Sequence, residues 1–192
     1  MNNFFNIALF PEDENLVSTC IQLAQTNLKD QSSEYLLGEN AWPHVTLCEF
    51  ISEQGQLAKI WSSIESMQTE PLLLNFEYIY ILPGHGIHSG KTWVGLAVAK
   101  PAELVKLQKS IYEKLLQLGI EGATKIETYF PHLTWARCDG NKPITISAMP
   151  PQELWQKQHA FNLSIGLSDM NGAYHERLFS INQPDLAKRS VT

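Results

Sequence analysis

Residues 42–47 read Trp42-Pro43-His44-Val45-Thr46-Leu47, and residues 130–135 read Phe130-Pro131-His132-Leu133-Thr134-Trp135. Each position is identical or similar in type. The two histidines stand 88 residues apart, at 44 and 132. The same offset runs outward without a gap. Leu16 falls on Leu104, each 28 residues before its histidine. The strand-like Ile7-Ala8-Leu9-Phe10 falls on Gly95-Leu96-Ala97-Val98. Pro11-Glu12-Asp13-Glu14 falls on Ala99-Lys100-Pro101-Ala102, both suited to a helix start. Beyond the motif, Leu73 to Tyr80 falls on Phe161 to Ser168. One Pro-His-x-Thr arises easily by chance. Two at a shared offset with shared flanks point to an internal duplication, which constrains the architecture.

The periodicity predicts a strand over 4–10, a helix over 13–29, a motif strand over 43–50, a helix over 53–67 and a strand over 72–81. The second copy predicts a strand over 92–98, a helix over 102–118, a motif strand over 131–137, a short helix over 151–157 and a strand over 160–168. Leu104, Leu107, Ile111, Leu115 and Leu118 make one apolar helical stripe, read as core. Asp169-Met170-Asn171-Gly172 between strand-like runs marks a closing hairpin, with its second strand over 174–181. The expectation is one bilobal domain over 1–192, with repeat halves at about 1–88 and 89–192.

On a strand, residues two apart face the same way. His44 therefore projects with Thr46, and His132 with Thr134. A pseudo-twofold between the copies sets both pairs across one cleft. Imidazole titrates near neutrality, so one ring can be neutral while its partner is protonated, as a general base and a general acid require. The threonine hydroxyls can donate to non-bridging phosphate oxygens. The motif offers neither carboxylate nor cysteine beside each histidine, so no metal and no other cofactor is expected. Trp42, Phe130, Tyr129 and Lys91 are candidate substrate contacts by proximity and chemistry. Arg137 stands an odd number of residues from His132, so a regular strand points it away from the cleft. His85 and His88 fall in the Gly-rich run Pro83-Gly84-His85-Gly86-Ile87-His88-Ser89-Gly90, read as a flexible loop in preference to the alternative that they touch a ligand or metal.

Formal net charge is −6, which disfavours wholesale coating of nucleic-acid backbone. Residues 1–88 carry only Lys29 and Lys59 against 11 acidic residues, whereas residues 89–192 carry 12 bases against 9 acids. An anionic ligand is expected to find more help from the second half. Cys20, Cys48 and Cys138 lack CxxC spacing and suit a reducing compartment. With neither a signal-peptide pattern nor a bilayer-length apolar run, a cytoplasmic protein without membrane contact is expected.

At His44-Val45-Thr46 and His132-Leu133-Thr134 the sequence resembles the 2H phosphoesterase superfamily, which is defined by two His-x-Thr/Ser motifs in duplicated lobes. It includes bacterial 2′-5′ RNA ligases and cyclic nucleotide phosphodiesterases. Strand–helix order matches over nearly the whole chain, and the segment from Leu167 to Ile181 looks like the family's terminal hairpin. The resemblance implies an α+β fold: two pseudo-symmetric lobes with antiparallel-rich sheets and flanking helices around a central cleft. It also implies metal-independent hydrolysis of 2′,3′-cyclic phosphates or 2′-5′ phosphodiesters, on a nucleotide or RNA-end substrate. His44 and His132 would be catalytic, and Thr46 and Thr134 would bind phosphate. The alternatives are 2′-5′ ligation at the same groups, which has little driving force without an activated donor, and a nucleotide- or RNA-end-binding module without turnover. A closed two-lobe domain is compatible with a monomer.

Overall fold

The computed structural model describes residues 2–120 and 126–181. The ends of the expected 1–192 domain, and three second-half bases (Lys125, Lys188 and Arg189), lie outside the described residues. The elements run β1 (Asn2–Pro11), α1 (Glu14–Leu28), β2 (Ser32–Leu36), β3 (Val45–Glu53), α2 (Leu57–Ile64), β4 (Leu72–Leu74), β5 (Phe76–Pro83), β6 (Lys91–Val98), α3 (Ala102–Gln117), β7 (His132–Asp139), α4 (Gln152–Gln156), β8 (His159–Ser168) and β9 (Tyr174–Ser180).

All pairings are antiparallel. One sheet has the order β3-β1-β8-β4, with β9 also on β8; the other has the order β2-β7-β6-β5. The fold is α+β, with antiparallel sheets and few helices, as the family resemblance implies. Each sheet takes strands from both halves of the sequence, so a lobe is not simply residues 1–88 or 89–192. The exchange occurs where a single strand over 72–81 was expected. Asn75 divides it, leaving Leu72–Leu74 on β8 in the first sheet and Phe76–Pro83 on β6 in the second. The Asn75 carbonyl accepts from the amide of Ala99, and its side-chain oxygen accepts from Gln158. These bonds hold the crossing point.

The alternation of β1 explains its place. Phe5, Ile7 and Leu9 enter the main core, while Phe4, Asn6, Ala8 and Phe10 share the opposite face. Asp13 caps α1 by accepting from the amide of Asn15. Leu16, Cys20 and Leu23 of α1, and Leu104, Leu107, Ile111 and Leu115 of α3, are buried in one cluster that joins both sheets. α1 packs on β7 and β2, and α3 on β3. The sheet faces turned away from these helices remain for the cleft. Among the described residues no helix is long and apolar enough to cross a membrane.

Candidate active site

A bulge in each motif strand sets which residues reach the cleft. In β3 the register passes from Cys48 opposite Ile7 to Thr46 opposite Ala8, skipping Leu47. In β7 it passes from Ala136 opposite Val94 to Thr134 opposite Gly95, skipping Trp135. Leu47 and Trp135 are themselves 88 residues apart and fully buried. An extra residue reverses the facing of everything beyond it. The motif strands thus keep the 88-residue offset. Their partners do not: Ala8 and Gly95, which occupy equivalent positions, are 87 residues apart. The gapless alignment of Ile7–Phe10 on Gly95–Val98 is corrected by one residue in space.

His44 and His132 line one cavity of about 540 Å³ with Thr46 and Thr134. Each imidazole is fixed in the same way. The Nδ1–H of His44 donates to the Trp42 carbonyl at 2.7 Å, and that of His132 donates to the Phe130 carbonyl at 2.7 Å. This arrangement leaves each Nε2 as the reactive nitrogen. Burial lowers both pKa values. That of His44 falls from 6.5 to about 4, mainly by desolvation and further by the proximity of His132. That of His132 is also lowered, again mainly by burial.

The neighbouring strands break the symmetry. Asn6 Nδ2 donates to Thr46 Oγ1 at 2.9 Å and lies 3.3 Å from His44 Nε2. On the other side, Tyr80 and Thr134 share a hydrogen bond of 2.8 Å between their hydroxyls. Burial raises the pKa of the Tyr80 phenol, which keeps it protonated. Thr46, whose oxygen accepts from Asn6, can turn its own hydroxyl hydrogen toward a ligand, and Thr134 can do the same when Tyr80 donates to it. Gly95 makes room for Tyr80, since a Cβ there would stand 2.9 Å from Tyr80 Cε1 and 2.2 Å from the Leu133 carbonyl.

Phe130 lines the cleft and stacks on His132 at 5.3 Å. Tyr129 lines it too, but its buried hydroxyl donates to the Thr46 carbonyl at 3.1 Å and so joins the two motif segments. Trp42 does not reach the cleft. Pro43 and His44 lie outside β3, and Trp42 turns onto Phe10 and Arg177, with its indole N–H on the Glu39 carbonyl. Lys91 does not line the cleft either. Its ammonium pairs with Asp139, its cross-strand neighbour, at 2.8 Å and donates to Ser33.

Arg137 also departs from its expected direction. The bulge at Trp135 turns it toward the cleft side, where Nη1 contacts His88 Nδ1 at 3.0 Å and donates to Asn171 Oδ1 at 2.8 Å. It also pairs with Glu34 and lies over Trp93. His85 and His88, read as loop, both line the cavity. The expected help from second-half bases is absent at the lining itself, which includes no lysine or arginine among the described residues. Asn6, Tyr80 and Glu49 are additions that the motif did not reveal. The one signal for Asn6 was a polar residue inside the apolar run Phe4-Phe5-Asn6-Ile7.

No family model matches the chain. Over 102 residues it is 31% identical to an RNA 2′,3′-cyclic phosphodiesterase of Archaeoglobus fulgidus, covering 52% of this chain and 54% of that protein. The chain thus spans about half the length of that curated relative. Among solved structures, E. coli LigT complexed with 3′-AMP aligns with a TM-score of 0.65 at 15% identity, over 95% of this chain and 100% of that one. The resemblance to the 2H phosphoesterase superfamily is borne out. The same 2H-like fold is found in LigT complexed with NADP+, with a TM-score of 0.61 at 16% identity over 94% of this chain and 98% of that one. A structure described as a phosphoesterase gives 0.60 at 15% identity, over 95% of this chain and 100% of that one.

Proposed function

We propose that this 2H-like protein is a phosphodiesterase that hydrolyses 2′,3′-cyclic phosphates or 2′-5′ phosphodiesters of nucleotides or RNA ends. The reading is carried by two imidazoles tethered alike at Nδ1, both lining one cavity beside a threonine hydroxyl. The name of the Archaeoglobus relative and the nucleotides bound by LigT support it.

His44 is the general base. The Asn6 amide directed at its Nε2 stabilises the neutral ring, and its pKa of about 4 leaves it unprotonated near neutrality. It takes the proton of the attacking water as the water oxygen bonds to phosphorus. His132 is the general acid. Its Nε2–H protonates the ribose oxygen as the phosphorus–oxygen bond breaks. A bound phosphate anion raises the pKa of both rings, which favours the protonated form of His132 in the complex. Thr46 and Thr134 donate to the non-bridging oxygens. Both histidines come from one chain, so a monomer suffices, and three buried cysteines are in keeping with the cytoplasm.

The test is a panel of 2′,3′-cyclic nucleotides, 2′-5′ and 3′-5′ dinucleotides, and RNA with a cyclic-phosphate end. Turnover of a cyclic phosphate or a 2′-5′ linkage is expected. Tight nucleotide binding without turnover of any member would instead make the chain a binding module.

A further inference from the structure

The cleft continues past the histidines. A second cavity, of about 650 Å³, shares Glu49, His88 and Met170 with the first. It is therefore contiguous with the site and falls within the ~300–1,000 Å³ range of small-molecule pockets. Its position follows from the β3 bulge. Beyond Leu47, residues 49, 51 and 53 turn outward, so Thr46, Glu49, Ile51 and Glu53 form one path along the strand. Phe4 of β1 lies directly opposite Ile51, adding a ring to the same surface. Phe4 is 43% exposed, Ile51 52%, Ile87 75% and Met170 57%, although all four are apolar.

The charged groups are of one sign. Glu49, Glu53 and Asp169 line the second cavity, and no lysine or arginine does so among the described residues. Burial, and then the nearby Asp169, raise the pKa of Glu49. Arg137, 88 residues after Glu49, is the repeat-equivalent residue in β7, but it is engaged by Glu34, His88 and Asn171. A terminal phosphate in the second cavity would meet a lining with three acidic side chains, of which Asp169 is paired with His175, and no lysine or arginine among the described residues. A nucleobase would instead cover the exposed apolar side chains and could offer an amino group to the exposed Glu53 at the rim.

We propose that the second cavity is an arm of the same site that holds an uncharged nucleoside, so that the preferred substrate is two nucleosides joined by one phosphate. The proposal rests on the phosphodiesterase reading for the position of that phosphate between the histidines. It selects dinucleoside monophosphates over 2′,3′-cyclic mononucleotides, which leave the arm empty. It also selects against chains that carry further phosphates into the arm.

The experiment measures affinity calorimetrically in a His44→Ala/His132→Ala protein whose fold is checked by circular dichroism, and measures kcat/KM in the wild type. The ligands are a 2′-5′ dinucleoside monophosphate, the same molecule with a 5′-terminal or a 3′-terminal phosphate, and a 2′,3′-cyclic mononucleotide. The unmodified dinucleoside should bind about tenfold more tightly than the cyclic mononucleotide, within the range for stacking one base. Phe4→Ala and Ile51→Ala, both at exposed positions, should each remove much of that preference. At least one terminal phosphate should weaken binding about tenfold, and Glu49→Gln with Glu53→Gln should relieve that loss. Equal affinity for dinucleoside and cyclic mononucleotide, no measurable binding, or tighter binding with each added phosphate overturns the proposal. Binding preference without wild-type turnover leaves the arm standing and sinks the phosphodiesterase reading. Turnover without the preference does the reverse.

Discussion

Asn6 is the residue that makes the two histidines unequal. A donor to Nε2 stabilises neutral imidazole, so removing it raises the His44 pKa. Asn6→Ala should lower kcat and move the acidic limb of the pH–rate profile to higher pH. Asn6→Asp, with a carboxylate beside the ring, should move it further. An unmoved limb in both variants would refute the base assignment. Stability carries the same signature. The His44 pKa in the fold, about 4, lies below its ordinary 6.5, so the unfolded chain takes up the proton first. The stabilisation from neutral His44 is complete above about pH 6.5 and is lost as pH falls toward about 4. Urea midpoints across that window should fall with acidification, and His44→Gln should flatten the slope. His44, Thr46, His132 and Thr134 were legible because the motif itself contains the reactive types. Asn6 and Tyr80 were not, because they reach the motif from neighbouring strands, and their approach depends on register.

Register is also what the elements add. Parity counted along a flat strand turned Arg137 away from His132, and the bulge at Trp135 turns it back. The same device at Leu47 brings Glu49 into the cleft. A bulge leaves no local composition signal in either strand: Leu47 and Trp135 read as ordinary core residues. Trp42 was placed by adjacency, but chain neighbours share a face only inside a strand, and β3 begins after His44. Likewise Leu72 to Ile81 is apolar enough to read as one strand, although Asn75 hands it from one sheet to the other. Gly95 offers a test at this scale. A methyl group there meets the Leu133 carbonyl and the Tyr80 ring. Gly95→Ala should cost roughly 1–3 kcal/mol in chemical denaturation, as overpacking does. It should also lower kcat by displacing Tyr80 from Thr134. Wild-type stability and rate in Gly95→Ala would show that the close packing at this position is not needed.

Across the whole molecule, strand exchange places the catalytic candidates of both halves around one cavity, and the pH dependence of that cavity tests the full mechanism. Acid protonates His44 near its pKa of about 4, and alkali strips His132, whose pKa burial also lowers from 6.5. The free protein therefore has the required pair, one neutral and one charged ring, most often on the acidic side of neutrality. The profile of kcat/KM for a 2′,3′-cyclic nucleotide should be a bell peaking below pH 6.5, whereas the kcat bell should lie higher, because bound phosphate raises both pKa values. His44→Ala should remove the acidic limb and His132→Ala the alkaline limb. Each should cost about 10²–10⁴-fold in rate. The double variant should lose less than the product of those factors, since the two rings act as a unit. Thr46→Val and Thr134→Val should slow the reaction less and keep the bell, because proton transfer survives them. Turnover should persist in EDTA. A folded double-histidine variant with full activity refutes the two-histidine mechanism, and loss of activity in EDTA that zinc restores replaces it with metal-assisted hydrolysis.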